Sequence, residues 1–233
     1  MTPKSTGSRA ELRANQTAAI KVVARRLIAD QGVADLSLRE VSREMGMVSS
    51  ALYRYFATRD ELLTALIFDA YSELGAVVEK AESKIARGDT RARWRAACAA
   101  VRKWATSHPH EYALLYGTPV PGYLAPNVTI AAATRVPGVL GRILSDDVEL
   151  HPRRRLVDKK AAVDVRPFLQ VDALTPSMPN VAPEHFVRAL MAWTNLFGTV
   201  SFELFGHYVG SVTSYRQFFD RVVEELADFA GLA

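Results

Sequence analysis

A short stretch near the N-terminus carries side chains that could make hydrogen bonds to a polyanion. If residues 48–56, VSSALYRYF, form a helix, then Val48, Leu52 and Phe56 fall within an arc of about 80° and can anchor it. The opposite face carries Ser49, Ser50, Tyr53 and Arg54. Hydroxyls donate and accept, and a guanidinium can bind guanine or phosphate, so this face could contact base edges in a DNA major groove. The alternative is a solvated face on an ordinary connecting helix.

The other polar residues show no pattern that supports catalysis or metal binding. The five histidines are scattered, and nothing is spaced to complete a metal site around His108 and His110. There is no phosphate-binding loop, dinucleotide fingerprint or nucleophile elbow. The acidic pairs at 146–147 and 224–225 are expected on solvated helix faces. We therefore expect no enzyme, no metal and no cofactor, with a helical small-molecule-binding enzyme left open as an alternative.

Helix signals on the N-terminal side of the polar stretch show how it would be positioned. An apolar helical period over about 11–31 ends at Gly32, which suits a helix C-terminus. Ser37 opens a second helix, Glu40 completes a capping box, and Gly46 ends that helix. The two short helices around the glycine therefore predict a helix-turn-helix unit, whose second helix enters the major groove.

The rest of the chain also has helical periodicity, and no useful strand-like alternation occurs. Thr58 and Glu61 form a second capping box, which begins a long helix that continues to about Arg87. Pro137 is expected to kink or break one of the later helices. We predict an all-α fold with a loop at 117–126, an extended connection over 150–182, and further helices at about 90–107, 110–116, 127–145, 183–208 and 214–230.

Positive charge is concentrated in the first quarter of the chain. Residues 1–60 contain ten Lys or Arg and six Asp or Glu, and the remainder contains nineteen of each. This asymmetry points to a polyanionic partner, either nucleic acid or an anionic membrane surface, with a lightly basic solvated face as the alternative. We expect a cytoplasmic protein with no membrane partner, because no signal peptide is evident and the longest uncharged run, 112–134, is interrupted by prolines and glycines.

Residues 14–70 resemble the N-terminal domain of the TetR family of bacterial transcriptional regulators. The motif residues occur at the family's spacing, namely Gly32, Ser37, Arg39, Gly46, Leu52, Tyr53, Phe56 and Arg59. The C-terminal stretches HPHEYALLYGTPVPGY and WTNLFGTVSFELFGHY are similar to one C-terminal subtype of the family. The resemblance implies an all-α homodimer that binds an operator in double-stranded DNA and responds to a small molecule.

The resemblance also implies which residues contact DNA. By family position they are Ser37, Arg39, Ser49, Ser50, Tyr53, Arg54, Tyr55 and Arg59, with Arg59 expected on a phosphate. The chain departs from the family at Val48, where a Ser or Thr N-cap is usual. Valine is a poor cap, so Ser49 or Ser50 could cap the helix instead and shift its start by one or two residues.

Two further sets of residues follow from the family pattern. The ligand cavity is expected to involve the aromatic residues Phe68, Tyr71, Trp104, Tyr112 and Tyr116, with plain core packing as the alternative. The last two helices are expected to pair with their copies in a four-helix dimer interface, with the protomer's own core as the alternative. The candidates for this interface are Leu196, Phe197, Val200, Leu204, Phe218, Val222 and Leu226.

These observations predict a chain with three parts. Residues 1–10 form a flexible arm, residues 11–57 a DNA-binding domain, and residues 58–233 a ligand-binding and dimerisation domain that begins with a connecting helix over 58–87. The resemblance implies the function of a repressor released from a palindromic operator by a small organic effector, with activation by the ligand left open. The alternative within DNA binding is a protein that acts without a ligand.

Overall fold

Helices make up the regular structure of the chain. A computed structural model describes residues 8–152 and 165–233, and within them no residue lies in a β-strand, so the all-α prediction is confirmed. The described helices are α1 (Arg9–Gln31), α2 (Leu38–Glu44), α3 (Ser49–Leu52), α4 (Arg59–Glu82), α5 (Thr90–Ser107), α6 (Pro109–Tyr116), α7 (Ile130–Ala133), α8 (Arg135–Leu150), α9 (Val171–Leu174), α10 (Phe186–Leu204) and α11 (Tyr215–Ala230). Within these described parts, no helix is long and apolar enough to cross a bilayer.

The chain divides into two compact units. The first continues to Ala70 and includes His110–Thr129, and the second comprises Tyr71–Pro109 and the chain from Ile130 onwards. This division differs from the predicted boundary at 57/58, because the start of α4 supplies core residues to the first unit. The buried core of that unit consists of Ile20, Ala24, Leu27, Ile28, Leu36, Leu38, Val41, Leu52, Phe56, Leu62, Leu63 and Leu66.

Local capping interactions begin the helices close to the predicted positions. The hydroxyls of Ser37, Thr58 and Ser214 accept backbone N–H groups three residues later, at 3.1–3.4 Å. A capping box that the sequence analysis missed joins Ser8 and Glu11, so α1 begins at Arg9. Residues 8–10 therefore belong to a capped helix and not to a flexible arm, and the rest of the predicted arm, 1–7, lies outside the described residues.

Two connections in the second unit differ from the expectation. The helix predicted over 127–145 is interrupted at Thr134, and Pro137 lies in the first turn of α8, where its missing N–H leaves no hydrogen bond unmade. The connection predicted as extended contains α9 and a short 3₁₀ turn at Thr175–Ser177, while residues 153–164 lie outside the described part.

A buried ionic cluster connects α5 and α8 in the second unit. Arg93 donates to Asp146 at 2.8 Å and to Glu82 at 2.6 Å, and its side chain is only 4 % exposed. Asp147 accepts the hydroxyl of Thr90 at 2.5 Å. The expectation that the acidic pair at 146–147 faces solvent is therefore wrong, because both carboxylates are buried against α5.

Candidate DNA-binding surface

The turn between α2 and α3 has the geometry of a Schellman motif. Gly46 adopts the left-handed conformation with φ +63°. Its N–H donates to the Arg43 carbonyl at 3.0 Å, and the Met47 N–H donates to the Ser42 carbonyl at 2.9 Å. These bonds satisfy the carbonyls at the end of α2 and direct the chain into α3 within three residues. The helix-turn-helix geometry thus depends on a position that suits glycine.

The helix α3 begins where the family pattern places it, although its cap is weak. Val48 is the N-cap and makes no side-chain hydrogen bond, and α3 starts at Ser49. Neither serine therefore takes over as the cap, and the start is not shifted. Val48 is 70 % exposed, so it does not belong to the anchoring face as expected. The N-cap residue precedes the first helical turn, so the helical period does not determine the direction of its side chain.

Two buried side chains hold α3 and its final turn against the first unit's core. Leu52 is fully buried and Phe56 is 6 % exposed. The Tyr53 N–H donates to the Ser49 carbonyl at 3.1 Å and the Phe56 N–H to the Leu52 carbonyl at 3.2 Å, so helical turns continue past Leu52. Ser50, Tyr53 and Arg54 are exposed, as predicted for the polar face.

Ser49 is connected to α2 through a buried hydroxyl. The Oγ of Ser42 donates to the Arg39 carbonyl at 2.8 Å and lies 3.1 Å from the Oγ of Ser49. Because Ser42 has a single hydroxyl proton, and the Arg39 carbonyl accepts it, Ser49 must donate to Ser42. The hydroxyl of Ser49 then offers only acceptor lone pairs to an external group.

The two residues predicted to contact DNA from the start of α2 differ in how far their hydrogen-bonding groups are already used within the protein. The hydroxyl of Ser37 accepts the Glu40 N–H as the N-cap of α2, at 3.2 Å, so its proton and one lone pair remain for a ligand. Arg39 is exposed on the first turn of α2. Ser37 and Arg39 therefore lie at the helix N-terminus, which favours an anionic group.

Arg59 has an intramolecular role that the sequence did not reveal. Its Nε donates to the Leu36 carbonyl at 2.8 Å, and its Nη2 donates to the carbonyls of Val33 at 2.7 Å and Ala34 at 3.3 Å. The guanidinium thereby caps the loop between α1 and α2. This changes the expectation for Arg59, since its Nε and Nη2 are bonded to the loop and its Nη1 lies 3.9 Å from the Asp60 carboxylate.

Sequence reasoning missed Arg13, which contacts the turn that follows α3. Its Nη2 donates to the Arg54 carbonyl at 3.1 Å, and its guanidinium carbon lies 5.4 Å from the centre of the Tyr55 ring. This contact leaves Tyr55 half-buried and less available to DNA than Tyr53. The excess of basic residues in the first quarter was the only signal for Arg13, and it does not identify a partner.

The five aromatic residues predicted for a ligand cavity are divided between the units. Phe68, Tyr112 and Tyr116 belong to the first unit, and the rings of the two tyrosines lie 5.0 Å apart. Tyr71 and Trp104 belong to the second. Trp104 is buried and stacks on His108 at 5.2 Å, and its indole N–H has no acceptor among the described residues.

Four of the seven predicted interface residues lie in the core of the second unit. The side chains at most 8 % exposed are Leu196, Phe197, Val200 and Leu226. These four pack within the protomer's own core, which was the alternative to the dimer interface. Leu204 and Val222 are half-buried and Phe218 is 37 % exposed. Larger apolar exposure lies elsewhere on α10 and the following loop, at Met191, Phe202 and Val209.

Comparisons with known proteins agree with this geometry. The family described as "Bacterial regulatory proteins, tetR family" matches residues 20–66, and the family described as "Tetracyclin repressor-like, C-terminal domain" matches residues 94–226. The HTH-type transcriptional regulators Rv1816 of Mycobacterium tuberculosis and Mb1846 of Mycobacterium bovis are each 39 % identical to the chain over 219 residues, covering 87 % of it and 86 % of the relative.

Solved structures show the same fold. The crystal structure of the putative regulatory protein SCO4313 aligns with a TM-score of 0.75 and 31 % identity, covering 95 % of this chain and 100 % of the other. The structure of PfmR, a TetR family transcriptional regulator from Thermus thermophilus, aligns with a TM-score of 0.59 over 89 % of this chain and 96 % of its own. At 18 % identity the second likeness concerns the fold alone.

Proposed function

The chain belongs to the TetR family of bacterial transcriptional regulators, and from this premise we propose that it is a cytoplasmic repressor that binds a palindromic operator as a homodimer and is released by a small organic effector. The observation that carries the proposal is the pair of faces on α3. Leu52 and Phe56 fix the helix to the core, while Ser50, Tyr53 and Arg54 remain exposed.

The exposed face has the chemistry needed to distinguish bases. Arg54 can bond bidentately to guanine, Tyr53 can contact a thymine methyl group or a phosphate, and Ser50 can donate or accept. Arg39 is exposed at the N-terminus of α2, where it would contact the DNA phosphate backbone next to the major groove. The serines keep the side chains of α3 short, which lets its backbone approach the base edges.

Exposed apolar side chains on α10 and α11 support the proposed dimer. Met191 and Phe202 on α10 are 47 % and 50 % exposed, and on α11 Phe218 is 37 % exposed and Val222 is half-buried. Large exposed side chains of this kind are commonly covered by a partner. A two-fold pairing of this face would place two copies of α3 on two half-sites, which gives the operator its palindromic form.

A charged substitution on this face tests the dimer. We expect Phe202→Glu to be monomeric by sedimentation velocity at micromolar concentration, because a carboxylate would be desolvated in the interface. The matched control is Val22→Glu, at a side chain 62 % exposed on α1 in the other unit, which should remain dimeric. A dimer that persists in the Phe202 variant with unchanged stability would contradict the assignment of this face.

Selection of DNA from a random duplex pool tests the function itself. The selected site should be a palindrome with half-sites about one helical turn, 34–36 Å, apart. Tyr53→Ala and Arg54→Ala should each weaken binding to it by roughly ten- to a hundredfold while leaving the fold intact, since both side chains are exposed. Arg216→Ala is the control, because its side chain is 83 % exposed on α11. No enrichment from the pool, or wild-type affinity without both side chains on α3, would refute the function.

A further inference from the structure

One face of α1 contacts the chain on both sides of α3. Gln16 donates from Nε2 to the Sδ of Met47 at 3.1 Å, two residues before α3 begins. Arg13 donates from Nη2 to the Arg54 carbonyl at 3.1 Å, two residues after α3 ends. Arg13 and Gln16 are three positions apart, so they lie on the same face of α1. The two contacts therefore bracket the helix proposed to enter the major groove.

The helix α3 is too short to determine its own orientation. It has four residues, and its N-cap Val48 makes no side-chain hydrogen bond. A first helical turn fixes several backbone dihedrals for a single hydrogen bond, so a helix of this length forms only with support from its surroundings. The buried side chains of Leu52 and Phe56 determine which face points to the core. The direction of the exposed residues Tyr53 and Arg54 also depends on how the two ends of α3 are held.

The bond from Arg13 replaces one that the backbone could have made. In a tight helical turn the Arg54 carbonyl would accept the N–H of Ala57, three residues later. That N–H donates instead to the Glu61 carboxylate at 2.8 Å, at the start of α4. The Arg13 guanidinium therefore caps the C-terminal end of the turn that follows α3, where a positive charge is also favourable.

The Tyr55 ring is a second contact for the same guanidinium. Its centre lies 5.4 Å from the guanidinium carbon of Arg13, within the distance of a cation–π interaction. Tyr55 is half-buried and packs against the core of the first unit. Arg13 thus connects α1 both to the Arg54 backbone and to a ring that is anchored in the core.

The helix α1 is itself attached to α4 within the first unit. Lys21 donates from Nζ to both carboxylate oxygens of Asp69, at 2.9 and 3.0 Å, and Arg25 donates from Nη2 at 3.1 Å. Ile20 and Ala24 on the same helix are fully buried. A helix held by its apolar face and by two ion pairs gives Arg13 a fixed position from which to hold α3.

We propose that Arg13 is a positioning residue for DNA recognition, which fixes the C-terminal end of α3 and keeps Tyr53 and Arg54 directed to the bases. The inference rests on the proposed function of operator binding. Without this contact α3 is correctly oriented in a smaller fraction of molecules, and the affinity for the operator falls by that fraction. Tyr55 then supports the Arg13 guanidinium and is not itself a DNA contact.

The rival role for an exposed guanidinium is a contact to a DNA phosphate. A phosphate contact contributes to the binding of the operator and of unrelated DNA alike, and its loss lowers the salt slope by about 0.9. A positioning residue acts on the base-reading side chains, so its loss lowers the ratio of the affinities for operator and unrelated DNA. This ratio and the salt slope therefore separate the two roles.

Arg13→Met removes the charge and the hydrogen bond and keeps a long side chain. The ratio of the affinities for the selected operator and an unrelated duplex should fall roughly three- to tenfold, the value of one hydrogen bond. The matched control is Arg26→Met, which removes the same charge from α1 but breaks a bond to Glu44 on α2. This control should leave the ratio unchanged, and both variants should have the same salt slope.

Amide hydrogen exchange tests the positioning without DNA. In Arg13→Met the amides of Tyr53 and Phe56, which donate to the carbonyls of Ser49 and Leu52, should exchange roughly three- to tenfold faster. The amide of Val41 in α2 should exchange at the wild-type rate. Unchanged exchange at Tyr53 and Phe56, or equally faster exchange at Val41, would overturn the positioning role.

A double variant tests whether Tyr55 acts with Arg13. Tyr55→Leu removes the ring and should also lower the affinity ratio, and the double variant with Arg13→Met should lose less than the sum of the two single losses. Fully additive losses would overturn the role assigned to Tyr55.

The DNA measurements also distinguish this inference from the function on which it rests. An unchanged affinity ratio in Arg13→Met, with a salt slope about 0.9 below that of Arg26→Met, would make Arg13 a phosphate contact and overturn the inference. An equal fall of the ratio in Arg26→Met would overturn it too, because any loosened contact of α1 would then have the same effect. Failure to select any operator would refute the proposed function instead, while hydrogen exchange still decides whether Arg13 fixes α3.

Discussion

Replacing Arg59 by alanine should destabilise the protein without removing a DNA contact. The Arg59 guanidinium donates hydrogen bonds to the carbonyls of Val33 and Leu36 at 2.7 and 2.8 Å, and a longer one to the carbonyl of Ala34 at 3.3 Å. These carbonyls belong to the loop that leads into α2. The substitution therefore loosens the connection on which the position of α2 depends and leaves the exposed side chains of α3 in place.

The expected loss of stability follows from the two short bonds. Hydrogen bonds to charged groups contribute about 1.5–3 kcal/mol each when buried. The Arg59 side chain is 28 % exposed, so water replaces part of each bond in the variant, and about 1 kcal/mol for each is the appropriate value. The free energy of unfolding should fall by about 2 kcal/mol, which lowers the urea midpoint by about 1 M at a slope of about 2 kcal/mol/M. Arg59→Lys should not restore it, because an ammonium cannot reproduce the planar fork.

Urea unfolding and operator binding over a range of salt concentrations measure the two effects separately. Arg59→Ala should lower the urea midpoint and leave the salt slope of binding unchanged. Arg39→Ala is the control with the opposite profile, because its exposed side chain should change stability by less than about 0.5 kcal/mol while the salt slope falls by about 0.9 for each phosphate that the variant no longer neutralises. An Arg59 variant with unchanged stability and a reduced salt slope would refute the structural role and restore the phosphate contact expected from the family.

Three further changes should have measurable effects. Gly46→Ala should lower the free energy of unfolding by about 1–2 kcal/mol in urea, since φ is +63° there and nothing lies within 4 Å of an added Cβ, so an unchanged midpoint would remove the left-handed turn as the cause. Asp146→Ala should lower the free energy of unfolding by about 3–5 kcal/mol in the same assay, because the buried Arg93 would lose one of its two carboxylate partners, and a loss below about 1 kcal/mol would show that water reaches the cluster. The hydrogen bond from Arg135 lowers the pKa of Glu79 below its usual 4.5. The ionised Glu79 therefore stabilises the fold above pH 4.5, and this stabilisation is lost as the pH falls through the lowered pKa. Glu79→Gln should make the free energy of unfolding less dependent on pH in that range, and an acid unfolding profile identical to the wild type's would contradict this role.

The interactions that could be predicted from the sequence are local ones. The caps at Ser37 and Ser214 and the glycine turn at Gly46 involve backbone groups within a few residues, so their residue types are sufficient evidence. The two faces of α3 are predictable for the same reason, because a helical period places Leu52 and Phe56 together. Only Val48 departs from that period, since a cap residue lies outside it.

Which side chains are buried together was decided by the packing of helices. The last two helices are apolar over a broad arc, and the periodicity alone does not show that Leu196 and Val200 face the chain's own core while Phe202 stays exposed. The sequence around Asp146 is equally compatible with a carboxylate exposed to solvent. It is buried because α5 packs against α8 and Arg93 donates a hydrogen bond to it.

The same limit applies to the candidate sites. The sequence predicted a basic helix-turn-helix and the exposure of Ser50, Tyr53 and Arg54, but not the bond between Ser49 and Ser42. The tertiary structure alone assigned Arg59 to the loop carbonyls and the Trp94 indole N–H to the Val223 carbonyl. A guanidinium or an indole N–H has the same chemistry wherever it lies, and its partner is whichever acceptor the packing brings within about 3 Å, often from a distant part of the chain.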